Sequence, residues 1–369
     1  MTALDISVDK VDVSAYTIPT DAPAGDGTLR WDSTTLVVCE VHAETEVGIG
    51  YTYGNQAIAL VAEHLAHKCL LQQAALDIPA LHATMLREVR NDGSCGIASM
   101  AISALDIAVW DLKAKLLKCS IVDMLGTAHP GVVAYGSGGF TTYSNQQLAS
   151  QMSGWVADGL KNVKMKVGAE PARDIDRVRI AREAIGPAIN LFVDANGAFN
   201  AREALSFAHK LEQFHVTWFE EPVSSDDLDG LRRVRDGAPN VTEIAAGEYG
   251  YDSLYFRRML EAGAIDVIQL DATRCKGFTG FLEAASVAAS FGCPISAHCA
   301  PSLHMHVGCA IPQFRHVEYF HDHVRIESTL FDGFIPPKEG QLTPDRSRLG
   351  LGLVFRRQDA ERFLVWRSK

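Results

Sequence analysis

Between residues 131 and 320 the chain alternates short apolar runs with longer segments of helical periodicity. In Val163-Lys164-Met165-Lys166-Val167, apolar and basic residues alternate with a period of two, which is typical of a strand with two unlike faces. Similar runs predict strands near 132–136, 162–167, 190–194, 216–220, 242–246, 265–270, 293–298 and 316–320. The gaps between them predict helices, for example over 172–186, 201–213, 226–236, 252–262, 278–291 and 302–310. Because no GxGxxG turn follows a strand, this order predicts a parallel β/α barrel rather than a doubly wound sheet.

The first 130 residues have a mixed α+β pattern. Strands are predicted over 4–16 and 34–43, and helical periodicity extends across 56–75, 80–90 and 97–118. The last of these helices has one apolar face, formed by Ala101, Leu105, Ala108, Val109 and Leu112.

Two Gly-rich segments of this first part predict loops. Pro19–Asp32 is rich in Pro, Gly and Asp and predicts a long mobile loop, and Gly48–Gly54 predicts a second turn. Long loops in compact domains are often lids, so we expect both to close over the barrel mouth. Trp31, Tyr51 and Tyr53 are then candidate substrate-binding residues, although each could instead pack between the domains.

These patterns divide the chain into three parts. Residues 1–130 form an α+β capping domain, 131–320 form the barrel, and 321–369 form a C-terminal segment with a last apolar strand at 351–355. That segment has too little core to fold alone, so we expect it to return to the capping domain.

Composition narrows the class of protein. Of the 369 residues 47% are hydrophobic and 21% charged, which is ordinary for a soluble globular protein with a sizeable core. The formal net charge of −11 argues against broad nucleic-acid binding. No signal peptide and no apolar run of about 18 residues is visible, which predicts no membrane association. The eight scattered cysteines include no CxxC pair and are typical of buried thiols in a cytoplasmic protein.

Titratable residues stand at or directly after the ends of the predicted barrel strands. They are Lys164, Lys166, Asp194, Glu220, Glu248, Asp271, His298 and Glu318. A single acid after a strand is usually a helix cap, but in a parallel barrel all carboxyl ends of the strands meet at one rim. The sequence therefore predicts an active site there.

Three of these carboxylates, Asp194, Glu220 and Glu248, come from successive strands. They cannot share a small site as bare anions, and a hard divalent cation resolves their repulsion. A set of oxygen ligands without histidine or cysteine suits Mg²⁺ better than zinc.

The remaining residues predict proton transfer. Lys164 and Lys166 point the same way from one strand, and His298 lies across the barrel, so they would flank a substrate held on the metal. Asp271, one strand before His298, is placed to bind the imidazole and set its tautomer.

Together these motifs resemble the enolase superfamily, specifically its mandelate racemase subgroup. The resemblance covers nearly the whole chain and consists of the helix Ala104–Lys113, the KxK strand, Asp194-Ala195-Asn196-Gly197, Trp218–Pro222, Gly247-Glu248 and the Asp271/His298 pair. It implies a modified (β/α)7β TIM barrel with an α+β N-terminal capping domain that the C-terminal tail completes.

The resemblance also implies roles for individual residues. The three carboxylates would bind Mg²⁺, and Lys166 would be one acid/base group, with Lys164 lowering its pKa and contacting the substrate carboxylate. His298 with Asp271 would be the opposite acid/base group. Glu318 would hydrogen-bond the substrate carboxylate, with Glu327 as a nearby rival. Asn196 is a further candidate substrate-binding residue.

Some features depart from the family pattern or fall outside it. Where the family usually has a Gly-Gly pair after Asp271, this chain has Lys276-Gly277. Lys276 and Arg274 could bind a distal anionic group of the substrate, but we favour solvent-exposed positions. His304 and His306 are two positions apart on a helix and point to different faces, which favours core or surface histidines over a metal pair.

The activity that the resemblance implies is abstraction of the proton α to a carboxylate, giving an enolate held on Mg²⁺. The leading hypothesis is dehydration of an acid sugar, an aldonate or aldarate, to a 2-keto-3-deoxy acid. The alternative is a racemase or epimerase of a 2-hydroxy acid. Whether Lys166 or His298 is the base stays open. The partner is a small-molecule carboxylate, and we expect a homo-oligomer because barrels of this kind often associate.

Two other classes of function remain. A Schiff-base aldolase could use Lys166 with a lowered pKa, and it would survive metal chelation. A non-catalytic barrel that only binds a sugar acid is disfavoured by the intact acid/base set.

Overall fold

The N-terminal part of the chain forms an antiparallel sheet. The computed structural model describes residues 6–368, so the start of the strand predicted over 4–16 lies partly outside the described residues. Strands β1 (Lys10–Gly25), β2 (Arg30–Ala43) and β3 (Glu46–Tyr53) pair in chain order. The mobile loop expected over 19–32 is wrong, because β1 and β2 stay paired up to Gly25 opposite Arg30 and only the tip turns.

The second expected loop, 48–54, is also wrong, because β3 extends through Tyr53 and pairs with β2. The helices that follow are α1 (Ala57–Leu65), which continues as a π-helical turn over Ala66–Leu70, then α2 (Ile78–Glu88), α3 (Ile97–Leu116) and α4 (Ile121–Leu125). Helices were predicted over the segments of α1, α2 and α3 but not over that of α4, and the periodicity at 56–75 did not show where the first helix ends.

The barrel consists of eight parallel strands, and the last pairs with the first. They are β4 (Val132–Gly138), β5 (Asn162–Lys166), β6 (Asn190–Asp194), β7 (Val216–Glu220), β8 (Glu243–Ala246), β9 (Val267–Leu270), β10 (Ile295–Ala297) and β11 (Phe314–Phe320). Between them lie α5 (Asn145–Ala157), α6 (Pro171–Ile185), α7 (Ala201–Leu211), α8 (Leu228–Gly237), α9 (Ser253–Glu261), α10 (Gly277–Ser290) and α11 (Pro301–Cys309). The predicted barrel is confirmed, with most element ends within one or two residues. None of the described helices is long and apolar enough to cross a lipid bilayer.

The amino-terminal half of the barrel interior is filled by aromatic rings. Phe192 stacks on Trp218 with ring centroids 5.2 Å apart, and Tyr135 and His316 meet them edge-on. This layer closes the barrel from below, so the polar side chains at the other end of the strands face a cavity with a solid floor.

The C-terminal segment consists of α12 (His321–Leu330), β12 (Phe331–Asp332), β13 (Gln341–Leu342), β14 (Val354–Phe355), α13 (Arg357–Ala360) and β15 (Leu364–Arg367). The strand predicted over 351–355 is formed only at its last two residues. β15 pairs with β1 at the edge of the N-terminal sheet, as expected for a tail that returns to the capping domain. The domain boundaries at 130 and 320 stay a prediction.

Candidate active site

Sheet register brings the first site residues together. Lys166 at the end of β5 lies opposite Asp194 on β6, and Asp194 lies opposite Glu220 on β7. Trp218 Nε1–H, in the layer below, donates a hydrogen bond to Glu220 Oε2 at 2.8 Å and holds this carboxylate in place. One layer of the barrel therefore carries a cation and two anions side by side.

Glu248 reaches the same place through a turn that only glycine allows. β8 ends at Ala246, and Gly247 has a φ of +134°. A Cβ atom on Gly247 would lie 2.4 Å from the carbonyl oxygen of Gln269, so any other residue would push the turn off β9. The Gly-Glu pair in the sequence thus has a steric reason.

The three carboxylates Asp194, Glu220 and Glu248 are buried, and their ligand atoms lie within 4.8 Å of one another. Oε2 of Glu248 is buried without a hydrogen-bond partner among the described residues. Burial and the charge of Asp194 raise the pKa of Glu220 well above its usual value. An orphaned carboxylate oxygen beside two more carboxylates fits a hard cation with oxygen ligands, as predicted for Mg²⁺.

Both lysines of β5 point into the barrel. The fully buried Lys164 Nζ lies 2.7 Å from Glu318 Oε1 and also contacts Glu220, and Lys166 Nζ contacts Asp194. Burial lowers the pKa of Lys166, and so does Lys164, but the charges of Asp194, Glu248 and Glu318 together outweigh both and hold this pKa above its ordinary value. Lys164 thus acts on this pKa in the expected direction, but the carboxylates act more strongly in the other.

His298 and Asp271 form the predicted pair. His298 Nδ1 lies 2.8 Å from Asp271 Oδ2, so Nδ1–H donates to the carboxylate and Nε2 faces the cavity. Burial alone would raise the pKa of Asp271, but the hydrogen bond and charge of His298 outweigh it and hold the pKa well below its usual range. Thr273 N–H and Oγ–H donate to the other oxygen at 2.7 Å. Asp271 is thus an anion that orients the imidazole.

The structure separates the two glutamates that the sequence left as rivals. Glu318 lines the cavity, contacts Lys164, and accepts the Cys299 N–H at 3.0 Å. Glu327 lies behind the wall, where it accepts the Tyr51 hydroxyl at 2.8 Å. Only Glu318 is placed to meet a substrate.

A cavity of about 680 Å³ joins these residues to the N-terminal sheet. Three of the four expected substrate-binding residues line it: Trp31, Tyr53 and Asn196. Tyr51 does not line it: its ring points to the same side of β3 as that of Tyr53, but it is stacked on Phe331 and completely buried. The expectation for Tyr51 is therefore corrected to an interdomain packing role.

The hairpin tip covers the cavity as a fixed structure. Oδ1 of Asp26 accepts the N–H groups of Thr28 and Leu29 at 2.6 and 2.7 Å. Thr141 donates its N–H to the Gly25 carbonyl at 2.8 Å and so ties the hairpin to the loop after β4. The segment expected to be a lid is therefore an anchored hairpin, and its role as a lid stays a prediction.

Arg274 and Lys276, the two basic residues whose positions the sequence left open, lie in different surroundings. Arg274 lines the cavity, with its guanidinium 3.6 Å from Glu248 Oε1, so the favoured solvent position is wrong. Lys276 is only 7% exposed, and its Nζ lies 3.4 Å from Asp252 outside the cavity, so the solvent position is wrong there too. Each of the two cations thus has an acidic neighbour in the segment that follows β8.

His304 and His306 are both buried and neither lines the cavity, in agreement with the core alternative. His304 Nε2 accepts the Ala272 N–H at 2.8 Å, so its Nδ1–H donates to the Cys299 carbonyl. His304 therefore braces the turn that carries Cys299.

Sequence reasoning did not single out several residues of the cavity wall, among them Cys299, Arg30, Tyr249 and His323. Cys299 directly follows His298 at a strand end, and that adjacency could have revealed it. Arg30 stands next to Trp31 in the segment that was expected to close over the barrel mouth, so the reasoning that selected Trp31 could also have selected Arg30.

Two family profiles match the chain. The profile described as Mandelate racemase / muconate lactonizing enzyme, N-terminal domain, matches residues 17–126. The profile described as Enolase C-terminal domain-like matches residues 147–360.

Among individual proteins, L-talarate/galactarate dehydratase of Salmonella typhimurium is 31% identical over 86% of this chain and 80% of its own length. Its structure liganded with Mg and L-lyxarohydroxamate superposes with a TM-score of 0.90 at 27% identity, covering 99% of this chain and 94% of that one. The 3,6-anhydro-alpha-L-galactonate cycloisomerase of Streptomyces coelicolor is 28% identical over 95% of this chain and 98% of its own. A mandelate racemase/muconate lactonizing enzyme-like protein from Rubrobacter xylanophilus has a TM-score of 0.95 at 45% identity, covering 97% of this chain and 100% of that one.

Proposed function

Because the chain belongs to the mandelate racemase subgroup of the enolase superfamily, we propose that it is a Mg²⁺-dependent enzyme that removes the proton α to a carboxylate. We propose acid-sugar dehydration as the overall reaction, in which water leaves and a 2-keto-3-deoxy acid forms. The observation that carries the proposal is that Lys166 and His298, two groups able to move a proton, line one cavity beside the acidic trio Asp194, Glu220 and Glu248. Relatives named as acid-sugar dehydratases support the substrate class.

The chain's own residues account for the proton movements. One of Lys166 and His298 takes the α-proton, and a protonated acid gives its proton to the departing β-hydroxyl, so that water is released and the enol becomes the keto acid. The hydrogen bond between Asp271 and Nδ1 of His298 keeps Nε2 turned to the cavity. Lys164 and Glu318, whose Nζ and Oε1 atoms lie 2.7 Å apart, would bind and orient the substrate carboxylate.

Asp194, Glu220 and Glu248 would hold the Mg²⁺ ion. Its charge would stabilise the negative charge that develops on the substrate carboxylate as the α-proton leaves.

A second candidate is racemisation or epimerisation of a 2-hydroxy acid. Lys166 and His298 stand on β5 and β10, which are five strands apart one way round the barrel and three the other. A proton removed by one could therefore be replaced by the other on the opposite face of the α-carbon.

The experiment uses the purified Mg²⁺ protein with a panel of aldonates and aldarates. Keto acid is detected as its semicarbazone, and α-proton exchange in D₂O is followed by NMR. We expect keto-acid formation that EDTA abolishes and Mg²⁺ restores. Lys166→Ala and His298→Ala should each lower turnover by a factor of about 10² or more.

The other outcomes separate the alternatives. Exchange without keto acid would replace dehydration by racemisation or epimerisation. Turnover that resists EDTA, with a substrate trapped on Lys166 by borohydride, would replace both by Schiff-base aldol chemistry. Unchanged turnover in both alanine variants would contradict the assigned acid/base pair.

A further inference from the structure

A second group of metal-ligating side chains lies in the cavity wall. His298, Cys299 and Glu318 all face the cavity and are all buried. Cys299 Sγ lies 3.2 Å from His298 Nε2 and 3.4 Å from Glu318 Oε2, and the latter two atoms are 3.8 Å apart. One nitrogen, one sulfur and one oxygen thus form a triangle with sides of similar length.

The size of this triangle matches one face of a zinc coordination tetrahedron. Zinc bonds of about 2.3 Å to sulfur and about 2.0–2.1 Å to nitrogen or oxygen, at tetrahedral angles, place the sulfur about 3.5 Å from the other two ligands. The same geometry places nitrogen and oxygen about 3.3 Å apart. Each observed distance is within about 0.5 Å of these values, so the three ligands need little movement.

Supporting contacts hold the ligand atoms in place. The Nδ1–H of His298 donates to Asp271, which leaves Nε2 free as a ligand, and zinc-bound histidines usually have such a carboxylate partner. The Cys299 N–H donates to Glu318 Oε2, and its carbonyl accepts the Nδ1–H of His304. Both backbone polar groups of Cys299, the residue that presents the thiol, are therefore held by hydrogen bonds.

The two ligand groups of the cavity differ in chemistry. The trio of Asp194, Glu220 and Glu248 offers oxygen alone and suits Mg²⁺, whereas sulfur and imidazole favour zinc and its usual spectroscopic substitute, Co²⁺. Three protein ligands leave a fourth position open to the cavity for water or a substrate carboxylate.

We propose that His298, Cys299 and Glu318 form a zinc site that inhibits the enzyme. Binding converts the Cys299 thiol to a zinc thiolate with release of its proton, and it occupies the Nε2 atom that the acid/base reaction needs. Zinc binding itself follows from the geometry, whereas the inhibition rests on the proposed function.

The binding test uses Co²⁺ as the probe on the full chain kept in excess Mg²⁺. Thiolate ligation gives an intense near-ultraviolet charge-transfer band, which carboxylate ligation of Co²⁺ does not. We expect this band in the unaltered protein and its loss when Zn²⁺ displaces Co²⁺. Absence of the band would overturn the proposal whatever the substrate is.

Two variants assign the band to one thiol. Cys299→Ser and Cys299→Ala should abolish it. Cys95→Ser, which removes an exposed thiol outside the cavity, should retain it. If the band is retained in the Cys299→Ala variant, or lost in the Cys95→Ser variant, the metal binds elsewhere and the proposal is contradicted.

The inhibition test adds Zn²⁺ to the Mg²⁺ enzyme during turnover or α-proton exchange. Cys299→Ser should raise the zinc concentration for half-inhibition by about tenfold or more, because one of three ligands is lost. Equal inhibition of the unaltered enzyme and of Cys299→Ser would place the inhibitory zinc at the acidic trio. It would overturn the proposal that zinc inhibits through Cys299. If no substrate is turned over, the cobalt band still shows whether the metal site exists. A failure of the zinc proposal can therefore be told apart from a failure of the proposed function.

Discussion

Glu318 and Glu327 show at the residue scale that surroundings decide what a carboxyl group can do. Glu318 ends in the cavity beside Lys164, whereas Glu327 ends between the domains with two tyrosine hydroxyls and the Ser302 N–H as hydrogen-bond donors. Burial raises the pKa of Glu327 to about 7, although the hydrogen bonds from Ser302 and Tyr51 oppose the rise.

This raised pKa predicts a pH-dependent stability. The folded state holds the Glu327 proton more tightly than the unfolded chain, so the stability that this group contributes is present below about pH 4.5 and is lost as the pH rises to about 7. Glutamine has no proton to lose, so the free energy of unfolding of Glu327→Gln, taken relative to that of the unaltered protein, should rise by about 1–3 kcal/mol from pH 5 to pH 7.5. Urea unfolding at the two pH values measures this difference. The control variant Glu212→Gln, at an exposed position, should have a free energy of unfolding within about 0.5 kcal/mol of the unaltered protein at both pH values. An equal effect of Glu327→Gln at both pH values would contradict the raised pKa.

At the element scale, the β1–β2 hairpin is the part that shapes the cavity mouth. Its tip lies directly on the loop after β6: a Cβ atom on Gly27 would lie 2.2 Å from the Ala195 carbonyl oxygen and 2.7 Å from that of Val167. Both obstacles are backbone atoms, which cannot turn aside as a side chain could. The hairpin therefore reaches the barrel only because glycine stands at its tip.

Gly27→Ala should lift the tip off the barrel. We expect kcat/KM on the substrate found above to fall by about 10- to 100-fold, because the wall that carries Trp31 is displaced. Limited proteolysis within residues 19–32 should become faster, which needs no substrate to measure. Gly154→Ala is the matched control, since a Cβ atom there meets nothing within 4 Å on an exposed helix. Equal proteolysis of the two variants would show that the contact at Gly27 is not essential.

At the scale of the whole molecule, Asp111 on α3 joins three parts of the chain. Its carboxylate accepts the Ile49 N–H of β3 at 2.7 Å and the Leu351 N–H of the C-terminal segment at 2.6 Å. Lys115, one turn later, lies 2.6 Å away and also donates to the Val47 carbonyl at 2.7 Å. One fully buried side chain thus fixes the sheet, the helix and the tail against each other.

Asp111→Ala should leave two buried N–H groups without acceptors and Lys115 without its counter-charge. We expect the free energy of unfolding to fall by about 2–4 kcal/mol. Asp229→Ala, which removes an aspartate whose side chain is 80% exposed, should change it by less than about 0.5 kcal/mol. Both are measured by urea unfolding, and a loss below 1 kcal/mol for Asp111→Ala would show that the tail is held mainly by other contacts.

The accuracy of the sequence predictions depended on how local their cause was. Alternation and helical periodicity are local, so the barrel strands, and with them the positions of Lys166, Asp194 and Glu220, could be read directly. In the hairpin, Pro19 and the glycines signal a break, yet cross-strand pairing with residues beyond the turn overrides them. The same kind of override converted the Gly48–Gly54 turn into a strand.

The sequence by itself determined the order of the elements and the residue types at the strand ends, because both follow from periodicity and from the geometry of parallel barrels. Only the tertiary structure decided which side chains share the cavity. It buried Tyr51 against Phe331 while Tyr53 lines the cavity, put Arg274 beside Glu248, and set the Cys299 thiol against Glu318. Those outcomes depend on distances between segments far apart in the chain, which no local pattern of residues records.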